Sequence, residues 1–113
     1  MSWDVTLGTP VVKVESHCEG GTYAVGGTDE ATLNITWNYS KYYYALIDKE
    51  QGLRWLAGKR AKHVISRLEF AVDILGTVQD RDYWAVTPGN AGFALSILLS
   101  WARQHPRAVF RVS

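Results

Sequence analysis

The chain has 113 residues, 47% of them hydrophobic, with 12 Lys and Arg against 11 Asp and Glu for a net charge of +1. This size and apolar content suffice for one core and exclude a disordered tail. Near-neutral charge argues against a dedicated duplex-DNA binder, though not against a local basic patch. Cys18 is the only cysteine, so an intrachain disulfide and a Cys-rich zinc site are excluded.

Met1-Ser2-Trp3-Asp4 has neither the basic nor the apolar region of a signal peptide, and the apolar stretch from Phe93 to Ala102 is too short to span a bilayer. The expectation is a single domain over residues 1–113, cytoplasmic, with no membrane partner. Five Trp and six Tyr are more than a small core usually needs.

Residues 3–7 alternate as a strand does, Gly8-Thr9-Pro10 signals a turn, and Val11 to Glu15 reads as the returning strand of a hairpin. Ser16 to Glu30, with two Gly-Gly pairs, reads as a long loop or a second irregular hairpin. Ala31 to Trp37 alternates again, placing Leu33, Ile35 and Trp37 on one face. Helical spacing starts near Ser40 with Tyr43, Leu46 and Ile47, and Gly52 ends it. Residues 52–58 form a short bridge. The steps from Ala61 through Leu68 to Leu75 predict the next helix, closed by an αL cap at Gly76. Residues 77–86 are a polar connector. Thr87 and Pro88 open the last helix as N-cap and first residue, and its apolar residues cover most of its circumference, as in a central helix. Pro106 stops it, and Ala108 to Val112 is a final strand. The order predicts an α+β fold: a small, mostly antiparallel sheet with three helices on one face, the central one near 88–104.

Three segments have the chemistry of a binding site. The corner Thr36-Trp37-Asn38-Tyr39-Ser40 sets two rings among three hydroxyls and an amide, a mixture that suits a flat heterocycle. The plainer reading makes Trp37 core and Asn38 or Ser40 a helix cap. Thr87-Pro88-Gly89-Asn90 opens a helix whose free N–H groups attract anions, with Tyr83 and Trp84 upstream to cover a base; such an opening also serves as a simple cap. Lys59, Arg60, Lys62 and His63, followed by Arg67, crowd a helix start where the dipole prefers acids. A docked anion would relieve that conflict, and a solvated basic face is the plain alternative.

Catalytic patterns are absent: no P-loop, nucleophile elbow or His-Glu-x-x-His helix occurs, and His17, His63 and His105 are scattered. His17-Cys18 lacks a third member to activate the thiol, and Asp80 and Asp82 read as solvated connector. No enzyme, cofactor or metal site is therefore expected. Of Tyr42, Tyr43 and Tyr44, at least one should be exposed. With Trp3 or Phe110 nearby it would serve as a homo-oligomer contact; equally, it would be an isolated surface ring.

Asn34-Ile35-Thr36-Trp37-Asn38-Tyr39-Ser40, Gly52-Leu53-Arg54-Trp55-Leu56-Ala57-Gly58-Lys59, Asp82-Tyr83-Trp84 and Thr87-Pro88-Gly89-Asn90-Ala91-Gly92 together resemble a group of small uncharacterised proteins of phages and bacteria. The resemblance runs from Thr32 to about Val112 and carries no catalytic role with it. It implies a small anti-defence protein, acting in the host cytoplasm and withholding a cyclic-nucleotide or ADP-ribose-derived signal. On that expectation Trp37, Asn38, Tyr39 and Trp84 stack and read the ring. Arg60, His63 and Arg67 supply charge, and Thr87, Gly89 and Asn90 hold phosphate. The alternative is a protein–protein interaction module that inhibits a host protein through an aromatic surface. Convergence of the segments on one concavity would favour the first, and a flat exposed aromatic patch the second.

Overall fold

The computed structural model describes residues 1–8, 23–24 and 31–113. The Val11–Glu15 strand, the His17-Cys18 pair and most of the Gly-rich loop lie outside the described residues. Strands β1 (Ser2–Leu7), β2 (Tyr23–Ala24), β3 (Thr32–Thr36) and β4 (Phe110–Val112) form one antiparallel sheet in the order β2-β3-β1-β4. Helices are α1 (Ser40–Leu46), α2 (Ile65–Leu75) and α3 (Pro88–Gln104), with 3-10 turns at Trp37–Tyr39, Gly52–Leu56 and Ala61–His63. The fold is α+β.

Alternation gives the sheet one covered face. Trp3, Val5 and Leu7 of β1 and Leu33 and Ile35 of β3 are buried. On the other face Asn34 donates through Nδ2 to Ser2 Oγ (2.7 Å) and Asp4 Oδ1 (2.9 Å). The covered face joins α3 in one core, to which α3 contributes Ala91, Ala94, Leu95, Leu98, Leu99, Trp101 and Ala102. Wide burial around α3 follows from its apolar circumference, and Thr87 caps it as expected, its side chain accepting from the Asn90 N–H.

The structure corrects four local expectations. Among the described residues β1 pairs not with a hairpin neighbour but with β3 and with β4, Val5 facing Val112. The second correction concerns the start of the second helix. Residues 61–63 make a 3-10 turn and α2 begins at Ile65. The turn is held by bonds three residues apart, His63 N–H to the Arg60 carbonyl and Val64 N–H to that of Ala61, both at 3.0 Å. The Ala61 and Lys62 N–H groups donate to the carbonyls of Ala108 and Pro106, both at 2.8 Å. Lys59, Arg60, Lys62 and His63 thus precede α2, and only Arg67 lies in its first turn. Third, Gly76 closes α2 with φ +73 but ψ −175, a left-handed φ with extended ψ and not αL. Fourth, Trp3 and Phe110 are core, 4% and 0% exposed, so neither is available as a surface contact.

Candidate functional site

Local hydrogen bonds build the aromatic corner. Thr36, and neither Asn38 nor Ser40, caps the 3-10 turn, its Oγ1 accepting from the Asn38 N–H at 3.2 Å. The Ser40 hydroxyl instead donates to the Trp37 carbonyl. Trp37 is no core residue: it is 39% exposed, its ring 6.2 Å from that of buried Trp3. Tyr39 points inward and is fully buried, its hydroxyl donating to the Tyr83 carbonyl. Burial and the neighbouring Tyr83 and Asp82 push that hydroxyl's pKa up.

The 77–86 connector closes over this corner. Asn38 Nδ2 donates to the Trp84 carbonyl at 3.1 Å, and the Thr36 N–H donates to the Tyr83 hydroxyl at 3.0 Å. The Tyr83 ring stands edge-on to Tyr39 (6.0 Å) and Trp84 (4.7 Å). Beneath it, Asn90 is completely buried and fully used. Its Oδ1 accepts from the Asp80 N–H at 2.8 Å, while Nδ2 donates to the carbonyls of Asp82 (3.0 Å) and Ala85 (3.1 Å). Gly89 is there for closeness of backbone: a Cβ would stand 1.7 Å from the Val78 carbonyl oxygen. Polar groups at the opening of α3 are thus spent on the chain itself. Outward, the corner presents ring surface, chiefly Trp37 and the 55%-exposed Trp84.

The corner and the α3 opening meet, as Tyr43 shows by donating to the Ala91 carbonyl at 3.0 Å. The basic segment does not join them. Its backbone is bonded to residues 106–110, beyond the other end of α3. From Ala91 to Gln104 the helix rises about 20 Å, a large part of a molecule measuring 33 × 29 × 23 Å. Arg60, His63 and Arg67 therefore sit away from Trp37, Asn38, Tyr39, Trp84, Thr87, Gly89 and Asn90.

The basic segment has an aromatic partner that local reading passed over. Lys59 Nζ lies 4.3 Å from the Trp55 ring centroid and donates to the Trp55 carbonyl at 2.5 Å; the Arg67 guanidinium lies 5.7 Å from the same ring. The Lys59 contact was available in the sequence as an i, i+4 spacing; the Arg67 contact depends on tertiary structure. Among the described residues no three His, Cys, Asp or Glu side chains come together as a metal cluster, and no helix is long and apolar enough to cross a membrane. No protein family, curated protein or solved structure matches the chain.

Proposed function

We propose that this chain is a non-catalytic interaction module that docks on another protein through Trp37 and Trp84. One observation carries the reading: the polar atoms around the corner are largely satisfied internally, while two large rings stay exposed on a hydrogen-bonded frame. Such a surface has few groups left to read the edge of a heterocycle and much ring area to bury. Trp anchors held in place before contact are typical of interface hot spots, because little ordering entropy remains to be lost. Exposed Asp80 and Asp82, with Arg81 between them, leave the segment before Trp84 net acidic, so the fitting partner has an apolar recess with a basic rim. As the resemblance to small phage proteins implies, the partner proposed is a host protein.

Capture of a cyclic nucleotide or ADP-ribose derivative needs the corner and the basic segment in one concavity, and the length of α3 stands between them. The test pans a random-peptide library on the wild-type protein and on the Trp37→Ala/Trp84→Ala variant. Peptides combining apolar and basic residues should be enriched on the first and lost on the second. The reading fails if enrichment ignores both rings. It also fails if calorimetry finds a cyclic dinucleotide or ADP-ribose derivative whose binding heat vanishes in the variant.

A further inference from the structure

We propose that the face formed by Trp55, Lys59, Arg60, Lys62, Arg67 and Arg107 binds single-stranded nucleic acid, phosphates lying on the cations and a base against Trp55. This surface is separate from the aromatic corner, and the inference does not rest on the docking function proposed there.

The first observation is segregation of charge. Residues 51–68 and 103–113 hold eight of the twelve Lys and Arg and none of the eleven Asp and Glu. The fold brings the two stretches together. Gly58 donates to the Phe110 carbonyl and Phe110 to that of Lys59, at 2.8 and 2.9 Å, and Arg60 forms a bridge with Val109. Arg60 Nη1 also donates to the Arg107 carbonyl at 3.0 Å. Among the described residues, positive charge therefore gathers on one side.

The second observation is that, among the described residues, no carboxylate forms an ion pair with Lys59, Arg60, Lys62, Arg67 or Arg107. Among the described residues the ion pair formed is Arg103 with Glu69, at 3.1 Å, outside the named set. Like charges held together without counter-charge raise a local potential that attracts a polyanion. One mononucleotide would neutralise two or three of them, whereas a strand presents a phosphate at every step.

The third observation is shape. Trp55 is half-buried and the Lys59 ammonium lies over its ring, 4.3 Å from the centroid, so a base reaches the ring as Lys59 swings out to a phosphate. Cations tracking a backbone beside an aromatic ring are the means by which single strands are held without sequence preference. A duplex, with its bases already stacked, leaves Trp55 without a role.

Fluorescence anisotropy with a labelled oligothymidylate of about a dozen nucleotides, within the usual site sizes, tests the proposal. Binding should weaken with salt, the log–log slope being about −0.7 per phosphate contact. Arg60→Glu/Lys62→Glu, both at exposed positions, should cost at least about tenfold in affinity and flatten the slope. Trp55→Leu should cost about tenfold with the slope unchanged; near-ultraviolet circular dichroism checks that each variant is folded. Lys41→Glu/Lys49→Glu, outside the face, should bind as wild type. No anisotropy change overturns the proposal, and so does binding indifferent to the Arg60 and Lys62 changes. Equal affinity for a duplex of the same length, for polyglutamate or for phosphatidylserine vesicles also overturns it.

Discussion

Asn90 is a polar side chain with no surface at all, tolerable because each of its three bonds satisfies a backbone group of the connector. Asn90→Ala would leave the Asp80 N–H and the Asp82 and Ala85 carbonyls to find other partners. It should cost about 2–3 kcal/mol of stability in urea unfolding; a loss under about 0.5 kcal/mol would mean that water replaces the amide freely. Tyr43 is the second such residue. Burial, with Tyr39 and Tyr83 beside it, raises its hydroxyl well above the ordinary value of 10.0. Its folded form thus keeps a proton that the unfolded chain gives up. Stability from this group is complete below about pH 10 and falls as pH rises above it. Tyr43→Phe should be less stable than wild type at neutral pH, through loss of the bond to the Ala91 carbonyl. Its alkaline decline should be shallower. Unfolding midpoints near pH 8 and about pH 11 compare the two directly, and parallel declines would show that this tyrosine is not the source.

At the scale of elements, α3 organises the molecule. Leu98→Ala, at a fully buried position of this helix, should cost on the order of 2–5 kcal/mol by chemical denaturation. Gly89→Ala should drive the connector off the helix, since its Cβ has no room beside Val78. The expected sign is loss of the Trp84–Tyr83 edge contact, seen as a change in near-ultraviolet circular dichroism; an unchanged spectrum would place the rings independently of the connector. Helix α3 was legible in the sequence because its signals are local: Thr-Pro at the start and an apolar periodicity that runs nearly all round. The strands β1 and β3 were legible from alternation, but the partners of β1 were not, because a register such as Val5 with Val112 leaves no trace in neighbouring residues. The start of α2 was misplaced because Ala61 keeps the helical spacing of the apolar residues while belonging to a 3-10 turn whose N–H groups bond to carbonyls more than forty residues on. In the candidate site, the joining of the corner to the connector depends on Asn38 bonding across to the Trp84 carbonyl. Residue types named both segments; only the fold joined them and left the basic segment apart.

For the whole molecule, the uneven distribution of charge outweighs its sum. A chain with an evenly spread +1 would pass through a sulfonate cation-exchange resin near neutral pH, whereas this one should be retained and elute with moderate salt. Arg60→Glu/Lys62→Glu should flow through, and retention of that variant would show that the positive side is broader than the segment at 59–62. The sheet order adds a consequence for synthesis. Strand β1 lies between β3 and β4, and its Asp4 exchanges backbone bonds with Ser113 at 2.8 and 3.0 Å. On the ribosome, an early-emerging strand must therefore wait with one edge open until β4 has left the exit tunnel, so the sheet closes only once Phe110–Val112 have emerged. Nascent chains stalled just before β4 should be cut readily by protease, while those extended past Ser113 by a linker long enough to clear the tunnel should resist.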